Sequence, residues 1–277
     1  MKTENQDDAV VRAFGQEWQA FDQSKACDAD LQMCFSSYFA IFPWHRLGAG
    51  ARGFDLGCGS GRWARFVAPR VGELHCVDAS ADALEVARRN LSGLSQVRFH
   101  HASVDVIPFP DNSMDFGYSL GVLHHLPDTK AGLLSCVRKL RRGAPFLVYL
   151  YYAFDNRPVW FRLLWRCSDL LRRWICQLPF FLKRVICELF AVAVYWPLAR
   201  VAGVGERLGF KVANWPLSAY RNVGLYIMRT DALDRFGTRL ERRFTRREIR
   251  AMMEDAGLVD IVFHDAVPCW CALGYRA

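Results

Sequence analysis

A glycine-rich segment with an acidic residue just before it is the clearest chemical signal in this sequence. Residues 54–64 read FDLGCGSGRWA, with Gly57, Gly59 and Gly61 between a predicted strand and a predicted helix. Glycines at this place let the backbone approach a ligand closely, and a helix N-terminus supplies free N–H groups. Asp55 favours a ligand with an ammonium group, because a carboxylate at this place would repel a pyrophosphate.

A second acidic residue, Asp78, closes the next predicted strand. An acidic side chain at that place accepts hydrogen bonds from ribose hydroxyls. Asp78 could instead cap the helix that follows, but Ser80 offers a hydroxyl for that role. We therefore favour ribose binding for Asp78.

Strands and helices that alternate along the chain would position these residues. Helical segments are predicted after the glycines to residue 68, then over 81–91 and 129–141. Strands are predicted over 53–56, 73–77, 97–101, 115–119 and 144–152. This order is typical of an α/β protein with a doubly wound, mostly parallel sheet.

The alternation stops after the fifth strand. Residues 155–230 contain apolar helical stretches and no clear strand, and a helix is predicted over 244–256. Two final strands, over 258–263 and 268–275, have a short connection that favours an antiparallel hairpin. We expect about seven strands, with a helical insertion after strand 5.

Four regions follow from this layout. They are an N-terminal helical lead-in (1–50), a core with the glycine loop (51–154), the helical insertion (155–230) and a C-terminal part of the core (231–277). In the lead-in, Phe14, Trp18 and Phe21 recur at helical spacing. They predict either a flap over the ligand or a helix docked by its aromatic stripe.

Several segments, in this order, resemble the class I S-adenosylmethionine-dependent methyltransferases. They read DLGCGSG from residue 55, VDAS from residue 77 and ASVDVIPFPDNSMDFGYSLGVLHHLPD from residue 102. The resemblance is strong over 50–152, weak over 240–275, and closest to the type 11 branch with the ubiquinone/menaquinone C-methyltransferases. It implies a seven-stranded Rossmann-like sheet with a reversed last strand.

The resemblance also implies a cofactor, S-adenosyl-L-methionine, which leaves as S-adenosyl-L-homocysteine. Its contacts would fall on Asp55, Gly57, Cys58, Gly59, Asp78, Ala79, Ser103, Val104 and Leu120. Asp55 would hold the methionine amino group, Asp78 the ribose and Ser103 the adenine edge. Many family members have Asp where Ser103 stands, and a neutral hydroxyl makes a weaker contact. No metal is needed, and the histidines show no ligand spacing.

Candidates for the chemistry follow the fourth and fifth strands. His124 and His125 stand at the carboxyl edge of the sheet, and one of them could take a proton from an acceptor, with His125 favoured. The alternative is that they only line the pocket. Tyr152, Asp155 and Asn156 could face the acceptor, or Tyr152 could belong to the core and Asp155 could cap the next helix.

The charge is uneven along the chain. The formal net charge is +8, and all of the excess belongs to residues 151–277. Within 158–177 an apolar stripe alternates with arginines, as in a basic amphipathic helix. The stripe consists of Trp160, Leu164, Cys167, Leu171 and Trp174.

Three interpretations of the insertion stay open. It could be a lid over an apolar acceptor pocket, a peripheral membrane contact through 158–204, or core or homodimer interface. A membrane-spanning helix is not expected, because the longest uncharged run, 189–199, has 11 residues and Pro197 would kink it. Nucleic acid is not favoured, because Glu241 and Glu248 stand beside the arginines at 242–247, which lack interleaved stacking aromatics beyond Phe244.

The sequence therefore predicts a methyltransferase that acts on a small, largely apolar molecule. Alternatives are another reaction of the same cofactor on this fold, such as alkyl transfer or cyclisation, and a non-catalytic binding protein. The ten cysteines are expected to be reduced, and the protein cytoplasmic or peripheral to a membrane.

Overall fold

The computed structural model describes residues 5–266 and 270–277, which form two compact units. The first unit comprises Met1–Ser24, Gln32–Ala153 and Leu240–Ala277. The second comprises Lys25–Leu31 and Phe154–Arg239. The second unit thus extends to residue 239, beyond the predicted end of the insertion at 230.

A seven-stranded sheet forms the centre of the first unit, in the order β3-β2-β1-β4-β5-β7-β6. The strands are β1 Arg52–Leu56, β2 Glu73–Asp78, β3 Val97–His101, β4 Phe116–Leu120, β5 Pro145–Tyr149, β6 Leu258–Phe263 and β7 Ala272–Arg276. The first five are parallel, and β7 is antiparallel to both β5 and β6. The predicted doubly wound sheet with a reversed last strand and a terminal hairpin is confirmed.

Helices cover both faces of the sheet. The helices of the chain are α1 Asp8–Ala20, α2 Asp28–Tyr38, α3 Ala64–Val67, α4 Ala81–Asn90, α5 Thr129–Lys139, α6 Val159–Ile175, α7 Phe180–Phe190, α8 Trp196–Arg207, α9 Leu225–Gly237 and α10 Arg246–Asp255. Side chains of α5 and α10 bury one face, and those of α2, α3 and α4 bury the other. Successive residues of a strand face opposite sides of the sheet. Phe54 of β1 belongs to the first core, and Tyr118 of β4 belongs to the second.

Two predicted strands have other bounds in the structure, and one helix was not predicted. β5 ends at Tyr149, three residues before its predicted end at 152. The last strand begins at Ala272, and residue 268, where its start was predicted, lies outside the described residues. The second N-terminal helix, α2, was not predicted, because its apolar side chains do not form one regular stripe.

The second unit contains four helices among its described residues. α6 and α7 both pack against α9. α7, a π-helical segment over Ala191–Tyr195 and α8 continue into one another as a single helix, Phe180–Arg207. Pro197 lies inside this continuous helix, directly after the π-helical segment, and does not end it.

The prediction that no helix spans a membrane stays a prediction, although this helix is longer than the uncharged run on which it was based. The helix has 28 residues and is long and apolar enough to cross one by length and composition, and 28% of its most apolar window is buried in the fold. The longest uncharged run understates the length of this helix, because the helix continues through charged residues such as Glu188, which is paired with Arg229.

Candidate active site

A cavity opens in the first unit at the carboxyl ends of β1, β2 and β4, where the strand order reverses beside β1. In open α/β sheets this is the place where ligands bind. Its volume is ≈ 970 Å³, including part of its open mouth. Seven of the nine predicted cofactor residues line it, namely Gly57, Cys58, Asp78, Ala79, Ser103, Val104 and Leu120, whereas Asp55 and Gly59 do not.

The glycine loop is fixed to the end of β2 by Asp78. One carboxylate oxygen of Asp78 accepts a hydrogen bond from the backbone N–H of Gly59 at 2.9 Å, and the other accepts from that of Ser80 at 2.8 Å. Burial raises the pKa of Asp78, and these two donors offset part of that effect. Ser80 caps α4 with its hydroxyl, so the lone pairs left on Asp78 face the cavity without a capping duty.

The loop requires a glycine at position 59, for two reasons. Its φ is +54°, which disfavours other residues. A Cβ there would also lie 2.7 Å from the ring of Trp18. The loop backbone and an aromatic side chain of α1 therefore approach each other across the cavity edge.

Asp55 does not line the cavity, although it directly precedes Leu56 and Gly57, which do. It is 1% exposed, and burial raises its pKa to about 8, an effect that the nearby Tyr118 hydroxyl offsets only in part. Its Oδ2 has no hydrogen-bond partner among the residues that the structure describes. An unpartnered buried carboxyl under a glycine loop is suited to a cation placed above it.

The wall beyond Asp78 combines apolar side chains with one orphaned hydroxyl. Ser103 is buried, and its Oγ finds no partner within the described part of the chain. Val104 and Leu120 flank it as buried lining residues. Cys76 and burial raise the pKa of Cys58 well above its usual value, so this residue presents a neutral thiol.

Helix α1 forms a further wall of the cavity through Val10, Phe14 and Trp18. It packs on α4, and a Cβ on Gly15 would lie 2.6 Å from Oγ of Ser80. Asn5 anchors the chain before α1 to Asp128, the residue directly before α5. The side-chain amide of Asn5 donates to the backbone carbonyl of Asp128 and accepts from its backbone N–H.

Of the two adjacent histidines, His125 lines the cavity. Its Nδ1 lies 2.7 Å from the carbonyl oxygen of Leu240. A carbonyl only accepts, so Nδ1 carries the hydrogen and Nε2 is the basic nitrogen of the neutral ring. The ring of Phe14 lies 4.9 Å away, which makes the surroundings of His125 largely apolar.

His124 has a different environment. It is fully buried and stacks on Tyr151 with a ring separation of 3.8 Å. Burial, with smaller contributions from His125 and Arg243, lowers its pKa well below the usual value. Neither ring nitrogen makes a hydrogen bond to any described residue. A buried neutral ring of this kind is a packing element of the site wall.

The structure places the residues after β5, which were predicted to face the acceptor, in different surroundings. Tyr152 packs against Trp270 beside the hydrophobic core, and Tyr151 takes the place beside the histidines. Because β5 ends at Tyr149, the chain beyond it no longer alternates as a strand would. Asp155 lies in the second unit, in a turn before α6, and does not line this cavity.

The segment from Leu240 to Phe244 contributes residues that sequence reasoning missed. It runs beside the end of β5, where Phe244 accepts from the N–H of Ala153 and donates to the carbonyl of Tyr151. Arg243 lies 4.9 Å over the ring of Tyr151 and pairs with the buried Glu241 at 2.7 Å. The run Glu241-Arg242-Arg243 was the available signal, and its arginines were interpreted as the start of a helix.

Comparison with known proteins gives the same picture for the first unit. Residues 54–148 match the family model described as a methyltransferase domain. An uncharacterized methyltransferase of Bacillus subtilis, YcgJ, is 33% identical over 107 residues, which cover 38% of this chain and 42% of that protein. A demethylmenaquinone methyltransferase of Bacillus licheniformis is 31% identical over 98 residues, 34% of this chain and 42% of that protein. The chain thus spans less than half the length of these relatives.

A solved structure extends the likeness in fold to nearly the whole chain. It is an S-adenosylmethionine-dependent methyltransferase of Thermotoga maritima, with a TM-score of 0.51 and 13% identity. The match covers 97% of this chain and 100% of that one. At this identity the likeness concerns the fold alone.

Proposed function

We propose that this chain, which belongs to the class I S-adenosylmethionine-dependent methyltransferases, transfers a methyl group to a small, largely apolar molecule. The observation that carries the proposal is the cavity itself. It brings the glycine loop, the Asp78 carboxylate and the orphaned Ser103 hydroxyl to one sheet edge, next to a histidine with a directed basic nitrogen.

The residues of the cavity fit the donor part by part. Asp78 has lone pairs left for ribose hydroxyls after binding Gly59 and Ser80. The Oγ of Ser103 can accept from an adenine amino group. Asp55, beneath the loop, compensates the methionine ammonium group. When bound, S-adenosylmethionine supplies a methyl group already activated on a sulfonium centre.

The protein's own contribution is alignment, exclusion of water and a base. His125 holds its Nδ1 hydrogen on the carbonyl of Leu240, which leaves Nε2 directed as the acceptor of a proton from the attacking O–H or C–H group. His124 and Tyr151 pack behind it and fix the ring.

An apolar acceptor is supported by the cavity wall around His125. Phe14, Val122 and Leu126 line the cavity together with His125, and polar Asn5, Gln6 and Asp7 line it from the chain before α1. Such a wall favours an acceptor whose body is apolar and whose reacting atom alone is polar. The name of one relative, demethylmenaquinone methyltransferase, supports including quinones in the test.

The test uses methyl-labelled S-adenosylmethionine with a cell extract as the source of acceptors. The label is partitioned between organic solvent and water, with Asp78→Ala as the matched control that lacks the ribose contact. We expect label in the organic phase with the wild type and about 5- to 150-fold less with the variant at limiting donor.

The other outcomes are equally informative. Label in the aqueous phase would keep the methyl transfer and reject the apolar acceptor. Donor binding without any transfer of label would reject the enzyme and leave a binding protein.

A further inference from the structure

Large apolar side chains are exposed almost entirely in one part of the chain. Of the 24 such side chains that are exposed among the described residues, 19 lie within residues 159–210 of the second unit. Soluble proteins rarely expose large contiguous apolar patches unless they bind something there. We call these 19 side chains the apolar surface.

Helix α6 shows that this exposure is built into the fold, because its polarity is inverted. Its apolar stripe faces outward: Trp160 is 50% exposed and Trp174 is 77% exposed. Its buried side instead carries an ion pair, with Nε of Arg172 at 2.7 Å from Oδ1 of Asp169. Arg172 also donates to the carbonyl of Thr238 at 2.8 Å.

Helix α7 and its continuation into α8 are exposed in the same way. A narrow stripe that includes Cys187, Ala191 and Ala199 is buried. Outside that stripe, besides the charged Arg184, Glu206 and Arg207, the large exposed side chains are again apolar. They are Phe181, Leu182, Val185, Leu189, Val192, Val194, Trp196, Leu198, Val201 and Val204.

Charge identifies the kind of surface that would cover this face. Residues 154–239 hold 14 Lys and Arg against 6 Asp and Glu, and so carry the whole formal charge of +8. Exposed Arg162, Arg166, Arg207 and Lys211 lie among the apolar residues. A second copy of this chain would bring like charges together, whereas anionic lipid headgroups would attract them.

The polar contacts of α7 favour a helix that lies on a membrane over one that crosses it. Glu188 forms two hydrogen bonds with Arg229 of α9, at 2.6 and 2.7 Å. The Nζ of Lys183 donates to the carbonyl of Gly237 at 3.4 Å. A helix tied by charged groups to a polar neighbour would lose these contacts on crossing a bilayer.

We propose that the second unit docks on the surface of an anionic phospholipid bilayer, with α6 and the α7–α8 helix lying in the headgroup region. Exposed tryptophans and leucines enter the acyl boundary, and the arginines contact the lipid phosphates. This docking is independent of the methyl acceptor and of donor binding.

The test is co-sedimentation of the full chain with two kinds of vesicle, phosphatidylcholine alone and phosphatidylcholine with phosphatidylglycerol. The wild type is expected to sediment with the anionic vesicles and to be released by salt. Arg162→Gln with Arg166→Gln is expected to weaken binding about 25-fold, about fivefold for each charge. Trp160→Ser with Trp174→Ser should weaken it by at least about tenfold.

The matched control is Leu134→Ser, an exposed apolar residue of α5 in the first unit, which should bind vesicles like the wild type. Because every replaced side chain is exposed, the variants should keep the wild-type circular dichroism spectrum and donor affinity.

Three results would overturn the proposal. They are absence of sedimentation with anionic vesicles, equal binding by the tryptophan variant and the wild type, and a concentration-dependent dimer that the tryptophan variant abolishes. Retention after an alkaline carbonate wash would also contradict it, because it would indicate a spanning helix.

Discussion

The proposed contact of Asp55 with the ammonium group of the donor would make donor binding depend on pH. In the free protein burial raises its pKa to about 8, from an ordinary value near 3.8, so the carboxyl is mostly neutral at pH 7. A bound ammonium group favours the charged carboxylate and lowers that pKa. Binding between the two pKa values therefore releases a proton, and donor affinity rises with pH up to about 8.

This linkage is measured by titration calorimetry in two buffers that differ in ionisation enthalpy. We expect a proton released at pH 7 with the wild type and none with Asp55→Asn. Equal heats in the two buffers for the wild type would remove Asp55 from the ammonium site.

His125 and His124 are expected to differ in their effect on turnover. His125→Gln removes the basic nitrogen of the cavity and should lower kcat by about 10²- to 10⁴-fold, with little change in donor affinity. His124→Phe keeps a ring stacked on Tyr151 and should lower kcat less than about tenfold. Similar losses of kcat in both variants would contradict the assignment of the base to His125.

Helix α1 must approach α4 closely to form its wall of the cavity. A Cβ on Gly15 would lie 2.6 Å from Oγ of Ser80, so Gly15→Ala should displace α1 and destabilise the protein by about 1–3 kcal/mol. Gly48→Ala is the matched control, because no heavy atom beyond its chain neighbours lies within 4 Å of its Cβ position. Urea unfolding measures both, and equal midpoints would contradict the close packing of α1.

The inverted polarity of α6 depends on a buried carboxylate. Burial would raise the pKa of Asp169, but the hydrogen bond and charge of Arg172 hold it below its usual value. Its stabilising effect is therefore present above the ordinary pKa of Asp and is lost as pH falls through the lowered value.

Removing this carboxylate should leave Arg172 buried without its partner. Asp169→Asn is expected to cost about 3–5 kcal/mol in the free energy of unfolding at pH 7. Glu206→Gln, which breaks the exposed pair with Arg221, should change the free energy of unfolding far less. Denaturant unfolding of both variants measures the difference, and similar losses would show that α6 is not held by Asp169.

Local signals in the sequence predicted most of the first unit. Strand bounds such as Val97–His101 and Leu258–Phe263 follow from short apolar runs ended by turn residues. The glycine loop and Asp78 are recognisable because their roles depend on neighbours close in the chain. Such local features suffice to predict the sheet and most of the cavity residues without knowledge of tertiary contacts.

Tertiary contacts decided what the sequence could not predict. Tyr151, and not Tyr152, lies beside the histidines. Its place depends on where β5 ends and on Arg243, some 90 residues later in the chain. Likewise, the apolar stripe of α6 was visible in the sequence, but its outward direction is fixed by Arg172 and Thr238.

The two units divide the properties of the molecule. The first unit has a net formal charge of +1 and contains the cavity. The second unit carries the remaining charge of +7 and the apolar surface. Solubility and salt dependence should therefore follow changes in the second unit, and donor binding should follow changes in the first.

Equilibrium binding of S-adenosylmethionine to the full chain is the most direct test, measured by calorimetry for the wild type, Asp78→Ala and the control Glu85→Ala. We expect one donor per chain, an affinity about 5- to 150-fold weaker for Asp78→Ala, and an unchanged affinity for the exposed Glu85→Ala. Failure of the wild type to bind the donor, or equal affinity of the wild type and Asp78→Ala, would contradict the account.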